Sequence, residues 1–229
     1  MTATALLLDV EGTTTAIAFV TDVLFPYAAQ AIPGFLAAHE RDPAVAEACA
    51  LIAADAEGAE TALSGRERVL AVVRRQMAGD IKAKGLKQLQ GLVWEAGYRS
   101  GAIRGHVFAD VPEALRRWQA EGRPTAIYSS GSVLAQQLLF GHSTAGDLRP
   151  WLCGHYDTAV GGKREAASYA CIAATWGRAP ETIIFASDQP AEVDAALAAG
   201  MQAVLLMRPG NAPLPPGLRA SVHADFTRL

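Results

Sequence analysis

The string Asp9-Val10-Glu11-Gly12-Thr13 closes an apolar run and sets two carboxylates two residues apart. A carboxylate at the end of a strand can attack phosphorus to form an aspartyl-phosphate, while a second one beside it protonates the leaving oxygen and later activates water. Gly12 lets the chain turn sharply and lets backbone amides approach a phosphoryl group. Alone, the string is as readily a strand-ending turn with solvated acids, so its meaning depends on what joins it.

Three further strings could join it. Ser129-Ser130-Gly131-Ser132 opens a helix-like segment after an apolar run, and hydroxyls at a helix N-terminus bind a phosphate; the plainer reading is an N-cap. Lys163, in GGKRE, could neutralise both phosphate and nucleophile, where an ordinary lysine would be a solvated surface charge, as Arg164 beside it is expected to be. Ser187-Asp188 follows another apolar run, with Glu192 and Asp194 further along. Asp188 suits magnesium, which prefers a few carboxylate oxygens with water and substrate phosphate; the plainer reading is a helix cap. The order nucleophile, hydroxyl, lysine, acid supplies attack, charge neutralisation and leaving-group protonation, all of which phosphate-ester hydrolysis needs.

The elements that must position these residues are legible from periodicity. The runs TALLLDV (4–10, with the strand placed from Ala3 to Val10), PTAIYSS (124–130), TIIFASD (182–188) and QAVLLM (202–207) have the length and two-sided hydrophobicity of buried parallel strands. Arg208-Pro209-Gly210 marks a turn after the last of them. Helical patterns cover 110–122, 132–141, 164–177 and 190–200. This alternation predicts an α/β doubly wound parallel sheet, with Asp9, Ser129 and Asp188 converging beyond the strands' carboxyl ends. Residues 16–104 break the alternation with helix-period segments and no clear strand. The expected organisation is therefore a catalytic core of 1–15 and 105–229, and a helical cap of 16–104 acting as a lid. The stretch NAPLPPG at 211–217 reads as an extended surface connection.

A net charge of −3 on 229 residues offers no footprint for nucleic acid or an anionic membrane, which leaves a small molecule as the expected partner. Cys49, Cys153 and Cys171 make neither an even disulfide set nor a CxxC pair; reduced thiols buried as packing, in a cytoplasmic protein, are expected. The opening MTATALLLDVEGT has no basic leader, and its apolar run is too short for a signal peptide or membrane span.

The order of these strings resembles the haloacid dehalogenase superfamily. The longer runs LDVEGTTTAIAFVTDVLFPYA (8–28), LKQLQGLVWEAGYRSGAIRGHVFADV (86–111), IYSSGSVLAQQLLFGHSTAGDLRPWL (127–152), GGKREAASYACIA (161–173) and SDQPAEVDAALAAGMQAVLLMRPGNAPLP (187–215) resemble its enolase-phosphatases of methionine salvage, the acireductone synthases. The match runs nearly end to end and is weakest over 40–80. The resemblance implies a Rossmannoid core with an inserted helical cap, and a monomer holding one Mg2+ per subunit. It implies enolisation of 2,3-diketo-5-methylthiopentyl 1-phosphate and then phosphate removal to give the acireductone. By the same resemblance Asp9, Glu11 and Asp188 form the metal site, Ser129, Ser130 and Lys163 hold the substrate, and Asp9, Glu11 and Lys163 are catalytic; Glu11 could serve by backbone carbonyl, side chain or both.

Gln189-Pro190 departs from the more apolar pair expected after the metal aspartate, at little cost, since proline suits a first helical position. His142 and His155 fall outside the expected site. The alternatives are a phosphatase of another small phosphorylated metabolite, since core motifs fix chemistry and the lid selects substrate, a non-catalytic relative, and a dehalogenase. The second would have lost Asp9, Lys163 or Asp188, and Glu11 has no obvious use in the third.

Overall fold

A computed structural model describes residues 4–229; Ala3, placed at the start of the first strand, lies outside the described residues. Among the described residues six strands form one sheet: β1 (Ala5–Leu8), β2 (Thr125–Tyr128), β3 (Gly154–Tyr156), β4 (Ile183–Ser187), β5 (Gln202–Leu206) and β6 (Ser221–His223). Their order is β3-β2-β1-β4-β5-β6, and every pairing is parallel. β1 lies between β2 and β4, with Leu8 opposite Ile127 and Ala186. The residues that follow these three strands, Asp9, Ser129 and Asp188, therefore leave the sheet at the same edge.

Central position explains the unbroken hydrophobic runs. All four residues of β1 are fully buried, as a strand covered on both faces requires. On one face Ala5 and Leu7 join Tyr128, Phe185 and Leu205 under helices Ala166–Trp176 and Pro190–Ala198. Leu6 and Leu8 point to the other face and are equally buried. On that side helix Val111–Ala120 buries Val111, Ala114, Leu115 and Trp118.

Helices Val111–Ala120, Val133–Gly141, Ala166–Trp176 and Pro190–Ala198 fall within the segments expected from periodicity. Helix Val133–Gly141 begins at Ser132, whose hydroxyl accepts from the Ala135 amide at 3.3 Å, and Ala166–Trp176 ends at Gly177 in the left-handed region. Two strands escaped the sequence. β3 and β6 are three-residue edge strands, GHY and SVH, whose side chains are half-buried or exposed, so no apolar run marks them. The cysteines correct another expectation: Cys153 and Cys171 are exposed and Cys49 is half-buried. Cys153 precedes an edge strand, and Cys171 lies on the outer side of a helix whose inward residues include Tyr169 and Ile172.

The chain divides into two compact units, one of residues 1–20 with 104–229 and one of residues 21–103. The second is helical, and no strand occurs among its residues. Helices Phe25–Ala38, Pro43–Ala54, Gly65–Ala78 and Lys84–Ser100 bury one stripe each: Ala28, Ile32 and Leu36; Val45, Ala48 and Ile52; Val69, Val72 and Val73; Leu86, Leu89 and Val93. The steps of three and four residues are those of an amphipathic helix. Ile17–Ala38 is long and apolar enough to cross a membrane by length and composition, yet it runs through α- and π-helical turns, and Ala28, Ile32 and Leu36 pack into this helical core.

Candidate active site

Asp9 leaves β1 with its amide bonded to the Ala186 carbonyl of β4 at 2.9 Å. The chain then turns within five residues. The amides of Thr13, Thr14 and Thr15 all point at the Val10 carbonyl, and the Gly12 amide donates to the Thr15 carbonyl at 2.8 Å. Gly12 has φ +70°, a conformation that costs any residue with a Cβ. Glu11 is half-buried, its backbone bridged to Thr15.

The Asp9 carboxylate is held from three sides. Oδ1 accepts from the Val10 amide at 2.8 Å and from the Lys163 ammonium, and Oδ2 accepts from the Ser187 hydroxyl at 3.1 Å. Lys163 comes from the loop before helix Ala166–Trp176. There the Tyr169 hydroxyl donates to the Lys163 carbonyl at 2.7 Å, and the Ser168 hydroxyl donates to the Gly162 carbonyl at 2.8 Å. Its ammonium also pairs with Glu192 Oε2 at 2.7 Å. Burial alone would lower the lysine's pKa, but the carboxylates of Asp9 and Glu192 prevail and push it up to about 12. Lys163 is a fixed cation across the working pH range.

Asp188 follows β4. Its amide donates to the Thr13 hydroxyl at 3.0 Å, and its Oδ2 accepts from the Gln189 side chain at 2.8 Å. Burial first, and then the Asp9 charge, raise its pKa to about 6. Glu192 is likewise raised, by burial and by Asp9. Pro190 takes the first position of its helix, so the Gln189-Pro190 departure costs nothing locally and gives Asp188 a hydrogen-bond donor.

Three carboxylates and one ammonium share this buried corner, which leaves two negative charges in excess when all are ionised. Among the described residues no cluster of three or more His, Cys, Asp or Glu side chains makes a ready cage, but magnesium asks for only one or two carboxylates with water and phosphate oxygens. Asp9 and Asp188, each raising the charge burden of the corner, fit a divalent cation.

Of the residues expected at the site, Asp9 and Lys163 touch, and Asp188 joins the Asp9 turn through Thr13. Ser129 is buried directly after β2, with its hydroxyl accepting from the Gly131 amide at 3.1 Å, and Ser130 is exposed beside it. Gln136 fixes this loop by donating to the carbonyls of Gly131 and Tyr156, at 2.9 and 2.8 Å. Arg164 is exposed. His155 directs Nδ1 at the Gln136 oxygen, 3.2 Å away, a structural contact. Sequence reading gave Glu192 and Ser187 no role in the site. The available signal was position: Glu192 falls in the first turn of the helix that follows Asp188, beside the carboxyl end of β4.

The model of the haloacid dehalogenase-like hydrolases matches residues 3–200. The chain belongs to this family. Enolase-phosphatase E1 of Synechococcus elongatus is 50% identical over 96% of this chain and 95% of its own length, and that of Pseudomonas aeruginosa is 48% identical over 92% of each. The crystal structure of the UTR4 protein of Saccharomyces cerevisiae superposes with a TM-score of 0.84 at 36% identity, over 99% of this chain and 100% of that one.

Proposed function

We propose that this hydrolase is the enolase-phosphatase of methionine salvage, converting 2,3-diketo-5-methylthiopentyl 1-phosphate to the acireductone 1,2-dihydroxy-3-keto-5-methylthiopentene and phosphate. The observation that carries the reading is the Asp9 carboxylate, fixed at the carboxyl end of the central strand by Lys163 and Ser187 with Asp188 one strand away. The near full-length match to proteins named enolase-phosphatase adds the substrate.

Asp9 attacks phosphorus and becomes an aspartyl-phosphate; the P–O bond to the leaving group breaks, and Glu11 protonates the departing oxygen. Glu11 then takes a proton from water, which attacks phosphorus and regenerates Asp9. Lys163 neutralises the nucleophile before attack and the phosphoryl oxygens after it. Ser129 and Ser130, with the loop amides that follow them, receive the phosphate. Asp9, Asp188 and residue 11 would hold one Mg2+ per subunit, which supplies charge neutralisation at the phosphoryl oxygens. We read the protein as monomeric and cytoplasmic.

The test is phosphate release from the diketo phosphate with and without a chelator, with the organic product identified. Release that needs a divalent cation and yields the enolised product is expected. Turnover of ordinary sugar phosphates without any enolised product would reassign the protein to another small phosphorylated metabolite.

A further inference from the structure

In the turn that carries Asp9 and Glu11, the carbonyls of Gly12 and Thr13 accept from none of the turn's own amides. Val10 accepts from three amides of the turn, whereas the carbonyls of Gly12 and Thr13 are met from outside by a single loop after β5. Asn211 donates its side-chain amide to the Gly12 carbonyl at 2.8 Å and to the Leu206 carbonyl at 3.3 Å. Arg208 donates Nε to the Thr13 carbonyl at 2.9 Å. The loop is itself closed by the Asn211 amide on the Arg208 carbonyl at 3.1 Å.

Arg208 is fixed to a degree unusual for a loop arginine. It is 4% exposed, its fork grips Asp110 Oδ1 and Oδ2 at 2.8 and 2.9 Å, and its guanidinium lies 4.6 and 4.7 Å from the ring centres of Phe108 and Phe226. A bidentate pair capped by two rings has one geometry. Asp110 is tied further by accepting from the Phe226 amide at 2.8 Å.

These bonds end at the atoms that place the second carboxylate. Thr13, whose carbonyl Arg208 holds, presents the hydroxyl that accepts from the Asp188 amide. Gly12, whose carbonyl Asn211 holds, is the residue on which the Asp188 carboxylate rests. We propose that Arg208 and Asn211 are positioning residues that fix the 10–14 turn and so set the spacing between the Asp9 and Asp188 carboxylates. Neither touches the reacting atoms; they act through Gly12 and Thr13. The inference rests on the reading of Asp9 and Asp188 as a cation site for phosphoryl transfer.

Asn211→Ala and Arg208→Lys test it, each against wild type, by kcat and KM on the diketo phosphate and by calorimetric titration of the metal-free protein with Mg2+. The expected result is a fall in kcat of about tenfold or more with KM within about twofold, the signature of an interaction felt in the transition state. Mg2+ affinity should weaken by about fivefold or more, as loss of outer support for metal ligands does. A merely structural role would lower the folded fraction without moving Mg2+ affinity. Wild-type values in both variants, or a kcat loss matched by an equal loss of folded protein, would overturn the proposal. Should Asn211→Ala fail to fold, Arg208→Lys decides by the same criteria. Wild-type protein inactive on the diketo phosphate would sink the reading of the reaction, while the Mg2+ titrations would still report on the turn.

Discussion

A Cβ built on Gly12 would fall 2.5 Å from Oδ2 of Asp188. The first carboxylate motif therefore leaves room for the last one, and the missing side chain is part of the site. Gly12→Ala should be damaged twice. The left-handed φ costs about 1–2 kcal/mol, and the methyl must displace the Asp188 carboxylate. We expect a melting temperature lower by several degrees and phosphate release reduced by about a hundredfold or more, since small misplacements at a site cost that much. An alanine variant with wild-type turnover would show that the Asp188 carboxylate does not work where it lies.

Asp9→Asn separates chemistry from folding. Asparagine is nearly isosteric; its oxygen can still accept from the Val10 amide and its amide nitrogen can donate to the Ser187 hydroxyl oxygen, but it is neither a charge partner for Lys163 nor a nucleophile. Turnover should disappear while the circular dichroism spectrum and a cooperative melt persist. Measurable single-turnover phosphate release by this variant would remove Asp9 from the nucleophile's role.

Much of this site could be read in advance, because the residues that follow β1, β2 and β4 each close a strong apolar run and parallel strands bring their ends to one edge. Lys163 closes no apolar run: it lies in the loop between the short edge strand β3 and helix Ala166–Trp176, and its place on Asp9 depends on Tyr169 and Ser168 holding that loop. Glu192, Asn211 and Arg208 carried no comparable signal. Glu192 reads as an ordinary helical acid, and Arg208-Pro209-Gly210-Asn211 reads as a turn. Asn211 and Arg208 act on Gly12 and Thr13, nearly two hundred positions earlier, and Glu192 acts on Lys163 of another loop, pairings that no local period encodes. The same reasoning covers β3 and β6, which exist because a neighbouring strand offers an edge.

Metal dependence can be checked without substrate. Asp188 is raised to about 6 by burial and by the Asp9 charge, so a divalent cation that relieves this repulsion binds the folded state in preference to the unfolded one. At an ion concentration a hundredfold above Kd the gain is about 2.7 kcal/mol, or roughly 5–10 °C for a chain of this size. Differential scanning calorimetry should show that upward shift on adding Mg2+ to chelator-treated protein, and Asp188→Asn should abolish it. A shift that survives in the variant places the ion elsewhere.

Glu192 and Asp9 compete for one hydroxyl. Ser187 has a single O–H and lies 3.1 Å from Asp9 Oδ2 and 2.9 Å from Glu192 Oε2, so it can donate to only one of them at a time. Lys163 meets the same Glu192 oxygen, Oε2, at 2.7 Å; Glu192→Gln keeps an acceptor oxygen there for both Lys163 and Ser187 and removes the charge, so it should retain kcat within about tenfold, whereas Glu192→Ala leaves Lys163 and Ser187 short of a buried partner, a loss of about 1–3 kcal/mol or more. Equal kinetic damage from both substitutions would mean that the charge of Glu192, and not its hydrogen bonding, is what the site uses.

His106 sets an acid limit on the turn that follows Asp9. Its Nδ1 accepts from the Ala16 amide at 3.1 Å and lies 3.1 Å from the Thr15 hydroxyl, so the neutral ring carries its proton on Nε2. The rings of Phe19 and Phe108 lie beside it, and burial lowers its pKa below the ordinary 6.5. The folded state thus binds the proton less readily than the unfolded chain. Its contribution to stability is complete above about pH 6.5 and is lost as pH falls through the lower folded value. Protonation would also set an N–H against the Ala16 N–H. In His106→Asn the side-chain oxygen can accept that amide and does not titrate. Urea denaturation at pH 7.5 and pH 5.5 should show a smaller acid-induced loss of stability in the variant than in wild type. Identical losses in the two proteins would assign the acid sensitivity to other groups.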